Sequence, residues 1–367
     1  MAIEIATVSN NPPPTPRHGE PADASRHERV RLSPLALIML LTVALGVTTL
    51  VSLASGAVSI SPRTIFAAML GYHPLTEVQR LILFHLRLPR VLASGLVGSG
   101  LALAGLLFQG LFRNPIADPY VIGSQGGAIL GACIGISFFS QWSVFGFSAT
   151  TLLAFAGSAA TMALVYSLAR SAGKTNVVTL LLAGFAITIM FTNTSYFFEL
   201  FDRTGDDNRV LASWLHGVIG VATWTELAVS AALLALAAVA ALPLMRTLNT
   251  LVLGDEYAQQ LGIRVESARV SIILIGSLMT AVSVSLGGMI MFAGLIVPHV
   301  ARLLLGPDHV RLLPVVALTG AIFLMLADTL ARTIFAPSEV PVGILIAFVG
   351  GPFFLYLLRK MKRSYTV

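Results

Sequence analysis

"LAVSAALLALAAVAALPL" occupies residues 227–244, eighteen positions without one charged side chain. Its apolar residues run continuously rather than alternating, which points to a helix apolar all round and not to a half-buried strand. At about 1.5 Å per residue such a run traverses most of a hydrocarbon layer about 30 Å thick. Backbone groups find no water there, so only a helix or a closed barrel satisfies them. The composition extends this reading to the whole chain: 56% of its 367 residues are hydrophobic and 11% charged, with a mean hydropathy of +0.85. About a quarter of residues are charged in soluble domains. The chain reads as an all-α, polytopic membrane protein.

The length rule gives about ten spans, predicted at 34–56, 89–110, 117–138, 146–168, 177–200, 224–245, 268–288, 289–304, 312–331 and 341–358. Residues 1–33 are Pro-rich, mixed in charge and poor in aromatics, and read as a disordered tail. Residues 34–360 form the membrane domain and 361–367 a basic C-terminus. Arg26, Arg29 and Arg31 precede a full-length span, so that span is expected to stay as an anchor and not to be cleaved. Cys133 stands alone, which removes disulfide frameworks and thiolate metal sites.

With the N-terminus placed in the cytoplasm and ten spans following, 16 of the 23 Lys and Arg residues fall inside. The net charge of +6 then reflects orientation and attraction to the lipid surface, not nucleic-acid binding. The outside group is Arg63, Arg80, Arg87, Arg90, Arg203, Arg209 and Arg332. Four of these crowd one predicted outer loop, against the usual bias, which suggests a partner there.

Catalytic and coupling-ion chemistry is sparse. Asp328 and, near a span end, Glu199 are the acidic residues of the spans, which disfavours a proton- or sodium-coupled secondary transporter. Asp328 and Arg332 stand at i,i+4 and can pair on one helix face. "AGKT" at 172–175 resembles the end of a phosphate loop, but Leu168 occupies the position of its first glycine. Neither HExxH nor a Ser/His/Asp arrangement for hydrolysis is evident. His299 reads as a packed residue; His73, His85 and His216 would be the set to test for haem ligation. Arg90, Gly98 and Gly110 are echoed by Arg269, Gly276 and Gly288, each followed by a proline, Pro119 and Pro298. Two related halves are a common transporter plan.

One polar island stands out. "LNTLVLGDEYAQQLGIRVESARV", residues 248–270, separates two of the most apolar stretches. Together with "RLPRVLASGLVGSGLALAGLLFQGLFRNPIADPYVIG" (87–123), "LLLAG" (180–184), "GLIVPHVARLLLGPDHVRLLP" (294–314), "ADTLAR" (327–332) and "VPVGILIAFVGGPFFLYLL" (340–358), it resembles the FecCD family of permeases. These are membrane subunits of bacterial ATP-driven importers for iron–siderophore complexes, haem and vitamin B12.

The resemblance implies a type II ABC importer permease fold in the inner membrane with both termini cytoplasmic. It also implies a homodimer of ten-helix subunits, two cytoplasmic ATP-binding subunits and a periplasmic substrate-binding protein. No cofactor is expected in this chain, since ATP and Mg would be bound by the partner, and the chain itself is not expected to be an enzyme. Residues 248–266 match the coupling helices that dock on the ATPase, with Leu253, Gly254, Asp255, Glu256, Ala258, Leu261 and Gly262 as the docking set. Arg87, Arg90 and Arg332 match arginines that receive acidic residues of the binding protein. Asn114 and Ile116 match one pore gate, and Thr175 and Asn176 fall in a second, where "KTNVVT" departs from the family's small Ser/Thr-rich pattern. The glycine-rich "GSQGGA" (123–128) and "GGMIMFAG" (287–294) also depart from commoner versions, through substrate fit or packing.

Overall fold

The computed structural model describes residues 33–364 apart from 57, 59, 73–74, 145, 172–173, 200–211 and 337. His73, Arg203, Arg209 and the tail 1–32 therefore lie outside the described residues. Each of the ten predicted spans has a helix. They are α1 (Pro34–Ala54), α3 (Glu77–Leu111), α4 (Ser124–Phe139), α5 (Ala149–Ala169), α6 (Val177–Glu199) and α7 (Trp224–Leu251), then α9 (Val265–Gly287), α10 (Ala293–Leu305), α11 (His309–Thr333) and α12 (Val342–Ser364). Two short helices join them, α2 (Pro62–Met69) and α8 (Asp255–Gln260). Eight of the ten are long and apolar enough to cross a membrane; α4 and α10, of 16 and 13 residues, are shorter.

Caps explain several starts. Ser33 accepts from the Ala36 N–H at 3.2 Å ahead of Pro34, fixing the entry to α1. At α7, Thr223 and Glu226 form a reciprocal capping box. Glu226 is buried and also accepts from Ser148 N–H at 3.2 Å and Thr151 Oγ1 at 3.0 Å, which ties the start of α7 to that of α5.

Four boundaries differ from the sequence expectation. α3 begins at Glu77, not 89, through a π-helical turn over Ile82–Arg87. Arg87 and Arg90 thus lie within a helix and not in the crowded outer loop expected for them; internal partners satisfy their charge, so the apolar count ended before the helix did. The third span starts late because Gly123, at φ 89°, separates a 3₁₀ turn (Pro119–Ile122) from α4. α7 runs on to Leu251, since polar residues past the membrane surface end the apolar pattern without ending the helix. α12 reaches Ser364 and takes in the start of the basic C-terminus.

α3 is the central element, with 83% of its apolar span buried against 17% for α1 and α6. It packs on α7, α9, α10 and α11, while α4 packs on α5 and α6. Small residues allow the closest crossing: a Cβ on Gly98 would collide with the carbonyl of Gly320 on α11. The glycines of "GSQGGA" have the same use, since Gly126 and Gly127 abut α6 and α5. Two hairpins close connections, Ser143–Val144 with Phe147–Ser148 (β1, β2) and Arg170–Ser171 with Lys174–Thr175 (β3, β4). The second hairpin accounts for "AGKT". α9 opens at the α8 end, where Arg269 meets Asp255, and α3 closes there at Arg113. The two echoed helices therefore run in opposite directions.

Candidate functional site

The chain carries two polar ends. At the first, α3 opens and α11 closes. Asp328 on α11 is 0% exposed. Its Oδ1 accepts from Arg90 Nε and Nη2 at 3.1 and 3.0 Å, and its Oδ2 from Arg332 Nε at 3.0 Å. Arg90 Nη1 donates to Glu339 at 2.7 Å, in the connection before α12. Arg87 has no carboxylate partner: it donates to the carbonyls of Leu53 at 2.8 Å, Ala54 at 3.4 Å and Val58. The three arginines predicted for docking are thus brought together, and with Glu339 and Gly56 they line one depression of about 390 Å³. Three guanidiniums against two carboxylates leave it net positive. The i,i+4 pair of Asp328 and Arg332 is formed, but Arg90 and Glu339 extend it into a network.

At the opposite end, two glycines bracket α8: Gly254 at φ 131° and Gly262 at φ 79° hold backbone that L-residues adopt with strain. The expected docking set splits in two. Leu253 and Leu261 are exposed at 67% and 59%, and Tyr257 between them at 49%. The four-residue spacing puts all three on one stripe of α8 and its flanks. Glu256 is exposed as well. Ala258 is instead buried and packs in the core, so it anchors α8 and is not on the docking face. Asp255 also turns inward, accepting from Arg113 on Oδ1 and Arg269 on Oδ2.

The gate candidates occupy this same end in separate connections. Asn114 Oδ1 accepts from Ile116 N–H at 3.1 Å, a side-chain turn just after α3, and Ile116 packs beside Leu295 and Leu357. Asn176 caps α6 by accepting from Thr179 N–H at 3.0 Å. Buried Thr175 donates to Glu266 Oε1. No direct contact joins these two segments among the hydrogen bonds of the described residues. Arg113, Arg269 and Glu266, which bridge them, were not singled out as functional in the sequence, because each has a partner remote along the chain or in another element.

"GGMIMFAG" is an unwound break between α9 and α10. Gly288 stands at φ 64° and Phe292 at φ 66°, a left-handed torsion that is rare outside glycine. Asp118 holds it by accepting from Phe292 N–H at 3.2 Å, and Tyr120 Oη accepts from Ile290 N–H at 3.2 Å. His299 packs edge-on to Phe353, with ring centroids 5.7 Å apart. No cluster of three or more His, Cys, Asp or Glu suited to a metal occurs among the described residues.

Comparison with known proteins agrees with this architecture. The model of the FecCD transport family matches residues 40–360. The hemin transport system permease protein HmuU of Yersinia pestis is 37% identical over 339 residues, covering 91% of this chain and 98% of that protein. The cobalamin import system permease protein BtuC of Halobacterium salinarum is 39% identical over 287 residues, covering 78% of this chain and 75% of that protein. A solved structure described as an inward-facing conformation of a metal-chelate type ABC transporter superposes with a TM-score of 0.76 at 30% identity, over 89% of this chain and all of that one.

Proposed function

We propose that this chain, which belongs to the FecCD transport family, is the pore-forming permease of an ATP-driven importer for a metal chelate. The observation that carries this is the stripe of Leu253, Tyr257 and Leu261 on and beside α8. Apolar side chains exposed on a helix too polar and too short to enter lipid mark a surface for a soluble partner. Two ATP-binding subunits, one on each copy of a homodimer, fit that surface. They would bind ATP and Mg and hydrolyse the nucleotide, leaving this chain as the moving pore. The α8 end then faces the cytoplasm of a bacterial inner membrane, with both termini on that side, in keeping with the positive-inside rule.

The arginine end is the periplasmic face in this reading. Its net-positive depression suits an acidic residue of a substrate-binding protein, with Arg87, whose charge meets only carbonyls, as the attracting group. A relative spanning nearly its whole length is a hemin permease and another a cobalamin permease. These support a large metal chelate, with an iron–siderophore, haem or cobalamin as the classes to assay. The rival is a secondary transporter, which needs no ATPase dock.

The test is assembly. Replacing Leu253, Tyr257 and Leu261 together by Ser removes the apolar stripe and leaves the buried side of α8 intact. Association with the cognate ATP-binding subunits should weaken about 100-fold, roughly 3 kcal/mol, while the permease stays folded in the membrane. Unchanged association would place the dock elsewhere.

A further inference from the structure

We propose that Asp255 is a positioning residue that ties α8 to both gate connections, so that a displacement of α8 is carried to residues 112–117 and 170–176 together. This rests on the reading of α8 as the ATPase-docking helix and adds how its motion reaches the pore.

The geometry is a forked polar relay. Asp255 opens α8 and uses both carboxylate oxygens, one on Arg113 and one on Arg269. The two arginines come from different elements: Arg113 is in the turn that ends α3, and Arg269 is in the first turns of α9. Along the first branch, Arg113 immediately precedes Asn114, whose side chain shapes the turn to Ile116. Along the second, Arg269 Nη1 lies 3.9 Å from Glu266 Oε2, and Glu266 Oε1 accepts from the Thr175 hydroxyl in β4. One carboxylate thus connects, through side chains alone, two segments that share no direct hydrogen bond.

Two further observations fit a working link better than a neutralised surface cluster. Arg113 holds φ at 51°, one of two non-glycine residues with a left-handed torsion among those described. Its strained backbone sits where the pull from Asp255 would be felt. Moreover α8 divides its side chains by task, with Leu253, Tyr257 and Leu261 outward and Asp255 and Ala258 inward. A push on the outer stripe is therefore passed inward through Asp255 and through the packing of Ala258.

Hydrogen–deuterium exchange on the full chain in lipid nanodiscs tests this. Asp255→Ala should raise exchange about 10-fold in both 112–117 and 170–176, with α3 and α11 unchanged as a control for folding. Glu266→Ala, lying on one branch, should raise it in 170–176 and leave 112–117 as in the wild type. In the complex with the cognate ATP-binding subunits, ATP with vanadate should shift exchange of 170–176 in the wild type and not in Asp255→Ala, although the subunits remain assembled. Exchange in 170–176 unaffected by Asp255→Ala, or raised in 252–262 alone, would overturn the relay. Failure of the wild-type chain to bind the ATP-binding subunits would instead overturn the docking role of α8, an outcome the nanodisc comparison does not depend on.

Discussion

Asp328 illustrates how single residues hold the arginine end. It is fully buried and receives two guanidiniums, so its removal leaves two buried cations without their partner. Asp328→Ala should therefore destabilise the chain by about 3–5 kcal/mol, visible as a lowered midpoint of thermal unfolding in detergent; an unchanged midpoint would mean that water reaches both arginines. Glu339 differs, being half-exposed and bound to Arg90 at 2.7 Å. Glu339→Gln removes a negative charge from the depression without adding a buried one. Association with the cognate binding protein should quicken about 2–5-fold at low salt, with the gain fading near 0.15 M. Slower association would point to Glu339 as a contact in its own right. Half of this cluster was legible beforehand, because i,i+4 spacing pairs Asp328 with Arg332. Arg90 joins from 238 residues away, a distance that spacing cannot bridge.

At the scale of elements, hydropathy located every span because burial in lipid demands the same apolar run wherever a helix crosses. Its errors fall where another force sets the end. The π turn and internal partners of Arg87 extend α3 into a charged region, and the left-handed Gly123 delays α4. The unwound 288–292 stretch was legible as a division between two spans, but its support was not: Asp118 and Tyr120 are recruited from 170 or more residues away. The polar island resolves in the same way. Its first four residues extend α7, its last six begin α9, and only Asp255–Gln260 forms a separate helix. Family resemblance marked the docking segment, yet which residues face the partner followed from burial. Ala258 turned inward, and Tyr257, passed over in the sequence, completes the outer stripe.

Across the whole molecule, α3 and α9 form an inner pair that links the two polar ends. The 24 residues of α3 from Leu88 to Leu111 span about 36 Å. An arginine-lined depression at one end and a docking helix at the other suit a permease worked from both sides, with a binding protein delivering and an ATPase driving. Reconstitution of the chain with its cognate ATP-binding subunits in vesicles tests this most directly, with a ferric hydroxamate siderophore, haemin and cobalamin offered by the binding protein. One of the three chelates should accumulate only with ATP, and the triple Ser variant of Leu253, Tyr257 and Leu261 should lose at least ~90% of that uptake, in line with the expected 100-fold loss of association. Accumulation that persists without ATP or without the ATP-binding subunits would contradict the importer mechanism and favour a secondary transporter.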